Sequence, residues 1–288
     1  MSSNTISIIL PAKNEADNLK TLLPKLTQLY QAYEIIVVDD GSNDNTVNVC
    51  KSSGVSVITH PYSMGNGAAI KNGARNAKGD ILVFMDADGQ HNPEDIARLL
   101  KKLNTGFDMV IGARASSSHA SLFRRFANKF YNKISSWMTS QKIEDLTSGF
   151  RVIRAKQFGK FIHLLPNKFS YPTTITMSFF RSGFPVAYIP ITASKRGGKS
   201  HINILRDGIR FLLIIFKIGT LYSPLKLFLP ISLMHFTIGI SYYLYTYMTY
   251  GRFTNMSALL IITSILIFLI GLVSEQITAL LFQQRERQ

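Results

Sequence analysis

Asp86 and Asp88 stand two apart directly after the apolar run Ile81-Leu82-Val83-Phe84-Met85. Two carboxylates at that spacing, on a strand end, can hold one hard cation and still leave coordination positions open for phosphate oxygens. A cation placed there neutralises the charge that builds on a departing diphosphate. Gln90 follows closely enough to add an oxygen. A second acidic pair, Asp39-Asp40, closes the run Glu34 to Val38, and Pro11-Ala12-Lys13-Asn14-Glu15 closes the run Ile6 to Leu10. Acidic side chains at adjacent strand ends can accept hydrogen bonds from a nucleobase or a ribose. Asn14, Asp40 and Ser42 also suit helix capping and turn formation.

The elements that must carry these groups follow from periodicity. Ile6 to Leu10, Glu34 to Val38, Val55 to Thr59 and Asp80 to Met85 are short apolar runs that predict buried strands. Helical spacing is expected over Asn14 to Gln31, Asn45 to Ser52 and Gly67 to Ala77. Apolar strands alternating with helices imply a mostly parallel sheet covered on both faces, with the ligand beyond the carboxyl ends of the strands. Both acidic clusters fall at such ends. Gly65-Asn66-Gly67 lacks the third glycine of a dinucleotide fingerprint and is expected to be a flexible turn, and Gly198-Lys199-Ser200 has no strand or glycine placed to make a P-loop.

Composition narrows the class. The chain has 288 residues and a formal net charge of +15, which calls for an anionic partner. It shows no zinc-finger or RNA-binding signature, so nucleic acid is not expected. A single cysteine, Cys50, excludes an internal disulfide and a cysteine-rich metal site. No secretory signal is read at the N-terminus. Residues 227–251 and 253–274 contain no Asp, Glu, Lys or Arg, and each run exceeds the ~20 residues needed to cross a bilayer. Lysines and arginines cluster from Lys195 to Lys226 and recur at Arg285 and Arg287, whereas the connection between the runs offers only Arg252. By the positive-inside rule both termini and the soluble domain are expected in the cytoplasm. Ile202 to Leu221 mixes apolar and basic residues as a helix lying in the membrane interface would. The expected organisation is a catalytic domain over 1–198, interfacial amphipathic helices over 199–225 and a two-helix transmembrane hairpin over 226–282.

Four segments in register, Ile9-Leu10-Pro11-Ala12-Lys13-Asn14-Glu15, Val37-Val38-Asp39-Asp40-Gly41-Ser42, Met85-Asp86-Ala87-Asp88 and Asp145-Leu146-Thr147-Ser148-Gly149-Phe150-Arg151, resemble those of family 2 glycosyltransferases. The branch most similar is the one that loads sugars onto polyprenyl phosphates, dolichyl-phosphate mannose synthases and undecaprenyl-phosphate sugar transferases among them. The resemblance implies an α/β GT-A fold and an inverting transfer dependent on Mg2+ or Mn2+. It implies that Pro11, Lys13, Glu15, Val38 and Asp40 hold the nucleoside. Asp86, Ala87, Asp88 and Gln90 would handle metal and diphosphate, with Arg114 and Arg125 reaching phosphate and counted with Asp86 and Asp88 as the catalytic set. Ser148 and the basic stretch Lys195, Arg196, Lys199 and His201 would meet the acceptor.

The sequence departs from that pattern twice. Lys195 and His201 stand where an Arg and a Lys are usual, and a lysine offers a point charge where an arginine offers a fork. Thr176 stands where many relatives carry a glutamate. Loss of a candidate base suits an acceptor whose oxygens are already charged, such as a phosphate monoester with a second pKa of about 6. The expected partners are therefore a nucleotide-sugar, a polyprenyl phosphate (undecaprenyl or dolichyl) and membrane lipids, with a homo-oligomer left open. The alternatives are a transferase acting on a sugar of a lipid-linked glycan and a non-catalytic nucleotide-sugar-binding membrane scaffold.

Overall fold

The computed structural model describes residues 4–114, 122–168, 171–192, 216 and 219–286. It divides into two compact units, Met1–Ser200 and His201–Gln288.

The first unit is built on a seven-stranded sheet, β1 (Ile6–Ala12), β2 (Glu34–Asp39), β3 (Ser56–Thr59), β4 (Ile81–Phe84), β5 (Met109–Arg114), β6 (Arg151–Arg154) and β7 (Val186–Ile191), in the order β3-β2-β1-β4-β6-β5-β7. The four strands expected from sequence all form. β6 alone runs antiparallel, inserted between β4 and β5. Its reversal matters for the site, because the loop leading into β6 arrives at the same edge as the loops leaving β4 and β5. β1, β2 and β4 are buried along almost their whole length, which is why they read as continuous apolar runs rather than as alternation.

Helices α1 (Ala16–Leu29), α2 (Thr46–Ser52), α3 (Asn66–Asn76), α4 (Asp95–Leu103), α5 (Leu122–Thr139), α6 (Ala155–Phe161) and α7 (Tyr171–Arg181) connect or cover the strands. In α1, Leu19, Leu22, Leu23 and Leu26 recur at helical spacing and are buried against the sheet. The start of α3 is not the flexible turn expected. The N–H groups of Gly67 and Ala68 donate to the carbonyls of Lys168 and Asn167, and a Cβ at position 67 would stand 2.0 Å from the Pro166 oxygen. Glycine is there for close approach, and those donors are already spent on protein rather than on a phosphate.

The second unit contains α8 (Pro224–Tyr250) and α9 (Asn255–Glu286), joined through Gly251 in the left-handed region. At 1.5 Å per residue the 27 residues of α8 reach about 40 Å, beyond a ~30 Å hydrocarbon core. Their large apolar side chains are mostly exposed, among them Met248, Leu259 and Val273. Small residues let the two helices touch: Gly239 meets Leu260 and Ile261, Gly271 meets Phe228, and the Ser232 hydroxyl donates to the Ser264 carbonyl at 2.9 Å. Most of the 199–225 segment lies outside the described residues.

Candidate active site

The carboxyl ends of β1, β2 and β3 enclose a cavity of about 460 Å³, lined among others by Lys13, Asp39, Ser42, Thr59, His60 and Tyr62. Its rim is laced together by side chains. Asn14, at φ +55°, donates its N–H to the Ser42 hydroxyl and accepts from the Asn43 N–H, each at 2.8 Å. The Ala16 N–H donates to Asp44, and the Glu15 N–H to the Thr46 hydroxyl. Asn14 and Ser42 thus tie two turns together rather than cap a helix, and it is Asp44 that takes an N–H at the start of α1.

The two carboxylates of Asp39-Asp40 part company. Asp40 is buried and fully engaged. It accepts from Ser63 Oγ at 2.7 Å and from the N–H groups of Met64 at 2.8 Å and Gly65 at 2.9 Å, and it lies 2.8 Å from His60 Nδ1. The far ring nitrogen of His60 meets the Asn72 amide at 3.1 Å, so that amide donates and the ring donates its Nδ1 proton to Asp40. Burial alone would raise the Asp40 pKa, but the bonds from His60, Ser63, Gly65 and Met64 outweigh it and hold the carboxyl below the ordinary range. Asp40 is a bracket for the 60–65 loop. Asp39 is also buried but lines the cavity, and among the described residues it accepts only the Ser42 N–H, through Oδ1. Of the other residues expected to hold a nucleoside, Lys13 lines the cavity, whereas Pro11 and Glu15 flank it in sequence without lining it. Val38 is fully buried and packs on Gly73, so it brings no side chain to the cavity.

Asp86 and Asp88 follow β4. Asp86 keeps about a third of its side chain exposed. A wall formed by Gly149 backs it, and a Cβ there would stand 2.8 Å from Asp86 Oδ2. His91, buried and stacked on Phe150 at 5.0 Å, brings Nε2 to 3.8 Å from the same oxygen. Asp88 Oδ1 accepts the Gln90 N–H at 3.2 Å, so the Gln90 backbone fixes the turn. Ala87 is buried. Among the described residues no group of three or more His, Cys, Asp or Glu gathers as a closed metal cage. Two hard oxygen donors with room beside them fit a divalent cation that also takes phosphate oxygens.

Arg114, at the end of β5, forks onto Asp145: Nε donates to Oδ2 at 2.8 Å and Nη2 to Oδ1 at 3.1 Å, with Nη2 also donating to the Thr147 hydroxyl. Burial acts first to lower the Arg114 pKa, but Asp145, Asp86 and Asp88 together raise it, which places the guanidinium in the field of the acidic pair. Nη1 has no hydrogen bond among the described residues and remains available to an anion. Burial likewise would raise Asp145, and Arg114 with the N–H of Thr147 keeps it low. Ser148 does not face open space; it is fully buried and its hydroxyl donates to the Gly112 carbonyl at 2.7 Å.

Two features of this region escape a reading of the sequence. Arg151, the first residue of β6, is completely buried, and among the described residues no carboxylate lies within ion-pairing distance of it. Thr176 is also completely buried, and its hydroxyl accepts from Arg151 Nη1 at 3.2 Å. A carboxylate at 176 would meet Arg151 rather than an acceptor, so the step from Thr176 to the class of acceptor does not hold. Arg125 lies on α5 with its side chain outside the described residues, as are Lys195, Arg196, Lys199 and His201.

Residues 7–161 match the model of glycosyl transferase family 2, and residues 223–280 match that of the GtrB C-terminal hairpin. The chain belongs to glycosyl transferase family 2. It is 31% identical over 187 residues to undecaprenyl-phosphate 4-deoxy-4-formamido-L-arabinose transferase of Photorhabdus laumondii, covering 58% of this chain and 57% of that one. The protein of the same name from Proteus mirabilis is 32% identical over 189 residues, 59% of this chain and 58% of that one. The chain thus spans under three-fifths of the length of these curated relatives. Among solved structures, glucosyl-3-phosphoglycerate synthase from Mycobacterium tuberculosis with phosphoglyceric acid superposes with a TM-score of 0.60 at 20% identity, over 76% of this chain and 80% of that one. The same enzyme with Mn2+, uridine diphosphate and glucosyl-3-phosphoglycerate gives 0.58 at 21% identity, over 74% and 80%. The fold is GT-A-like, as the resemblance implied. With two helices long and apolar enough to span a bilayer, matched to a family hairpin, the chain is a membrane protein.

Proposed function

We propose that this chain transfers a sugar from a nucleotide-sugar to a polyprenyl phosphate, with inversion, at the cytoplasmic face of a membrane. One observation carries the reading: an acidic pair, Asp86 and Asp88, stands in the field of Arg114, whose Nη1 makes no hydrogen bond among the described residues. Cation donors and an anion donor therefore share one edge of the sheet. The names of the curated relatives support the acceptor class, and the apolar hairpin supports a lipid-borne one.

Asp39 and Lys13 hold the nucleoside in the cavity. A divalent cation, Mg2+ or Mn2+, bound by Asp86 and Asp88 supplies Lewis-acid neutralisation of the diphosphate. Arg114 Nη1 adds two N–H donors to a phosphate oxygen. The acceptor, a phosphate monoester with a second pKa near 6, is already charged at about neutral pH and calls for alignment rather than a base. The basic residues before α8 support a cytoplasmic domain close to the lipid headgroups.

The test is incubation of the purified full chain in detergent with undecaprenyl phosphate, Mn2+ and a panel of nucleotide-sugars, followed by mass spectrometry of the lipid. A sugar-phosphate lipid is expected, and Asp88→Ala should abolish it. A glycan extended on a sugar acceptor, with no sugar-phosphate lipid, would sink the proposal.

A further inference from the structure

Three buried polar side-chain atoms lack a hydrogen-bond partner among the described residues: His91 Nδ1, Arg151 Nε and Tyr188 Oη. All three belong to the β4–β7 side of the sheet. His91 stacks on Phe150, the neighbour of Arg151 in sequence. Arg151 pairs in register with Phe84 of β4 and Ile111 of β5, and Ile111 pairs with Tyr188 of β7. Register partners project to the same face, so Tyr188 and Arg151 lie on one face of one row.

Arg151 is the unusual member. A guanidinium stays charged in a protein, and a buried charge is normally matched by an opposite one. Among the described residues its Nη groups meet neutral groups alone: the Pro172 carbonyl at 3.1 Å, the Thr176 hydroxyl at 3.2 Å, the Ser148 carbonyl and, at 4.0 Å, the Met109 sulfur. The Tyr171 ring lies under it, 5.7 Å from the guanidinium carbon, and the Tyr171 hydroxyl donates to the Gly149 carbonyl at 3.2 Å. Those contacts lead to Asp86. Ser148 and Gly149 are held from behind, and Gly149 is the surface on which the Asp86 carboxylate rests. Burial lowers the Arg151 pKa, while Tyr171, Tyr188, Asp145 and Asp86 act in the opposite sense.

We infer that Arg151 is a positioning residue of the metal–diphosphate site, a fixed unpaired cation behind Asp86 that a neutral Thr176 leaves uncompensated. This rests on the proposed function in placing a cation and a diphosphate at Asp86 and Asp88. The charge has two opposed consequences. It weakens the hold of Asp86 on a divalent cation, and it favours anionic phosphate at the same place. The site thereby shares neutralisation of the leaving group between a bound ion and the protein, and it does not bind the ion so tightly that the nucleoside diphosphate stays with it.

The experiment uses the full chain in detergent and reads binding rather than turnover. Mn2+ affinity is followed by the free-ion EPR signal, and pyrophosphate affinity by calorimetry in the presence of a chelator. Thr176→Glu places a carboxylate on Arg151, and Thr176→Gln is its neutral counterpart. Relative to T176Q, T176E is expected to bind Mn2+ tighter and pyrophosphate weaker, each by about fivefold, the effect of a unit charge at roughly 10 Å through a medium between water and protein interior. Opposed shifts are something a general loosening of the site would not produce. Equal affinities in the two variants, within about twofold, would overturn the inference. If neither variant unfolds cooperatively, Arg151→Gln against Arg151→Lys decides: the same opposed pair of shifts supports it and equality overturns it. Wild-type Mn2+ binding that is absent, or unaffected by Asp88→Ala, would remove the proposed function itself, and this inference with it.

Discussion

The two sides of the sheet handle buried charge in opposite ways. On the β1–β3 side Asp40 is buried, and every direction around it is met by a donor: His60, Ser63 and the N–H groups of Met64 and Gly65. On the β4–β7 side Arg151 is buried against neutral oxygens, and it shares that region with two further polar atoms lacking partners among the described residues. A closed polar network fixes shape, whereas an open one stores electrostatic potential that a ligand can complete. The first side is a preformed socket. The second holds a buried positive charge that meets no carboxylate among the described residues.

The largest expected effect breaks the second side. Gly149→Ala puts a methyl group 2.8 Å from Asp86 Oδ2 and must displace either the carboxylate or the wall. Turnover should fall about a hundredfold, the usual cost of an ångström of misplacement, while the melting temperature changes little. Full activity in steady-state assays would show that the wall does not set Asp86.

A smaller effect belongs to the socket. Asp40→Asn should cost about 2 kcal/mol of stability at neutral pH, since several buried donors lose a charged acceptor. The folded Asp40 pKa lies below its unfolded value, so this contribution is fully present above about pH 3.9 and is lost as pH falls through the folded value. Denaturant titrations of the variant and wild type should therefore begin to converge below about pH 3.9 and meet once pH lies below the folded value, and a gap that never narrows on acidification would show that packing, not charge, is at stake. The smallest effect is protection. Cys50 is buried, and burial followed by the Asp39 charge pushes its thiol up to about 11. It should resist a thiol reagent at about pH 8 until the chain unfolds, whereas ready labelling would mean that the socket opens.

Legibility in the sequence follows the same division. β1 to β4, α1 and the two apolar runs were readable because burial on both faces, or in lipid, leaves long uninterrupted patterns. The position of Asp86 and Asp88 beyond a strand end was readable because they follow such a run. Which of Asp39 and Asp40 lines the cavity was not, because neighbouring side chains leave a strand end in different directions and residue type is blind to direction. The strand β6 was missed because Arg151-Val152-Ile153-Arg154 is short and bounded by arginines, one of them buried in part by contacts from α7. Thr176 was misjudged for the same reason: its burial depends on a partner 25 positions away.

The reversed strand also has a consequence in time. Although β6 delivers the loop before it, not after it, the Asp86 wall is still written far downstream of the socket: Ser63 closes one and Gly149 the other, 86 positions apart. At about 5–20 residues per second that is a lag of roughly 4–17 s during synthesis. The residues proposed to hold a nucleoside thus leave the ribosome well before the wall behind Asp86, and a chain arrested between them would carry the acidic pair without the surface it rests on.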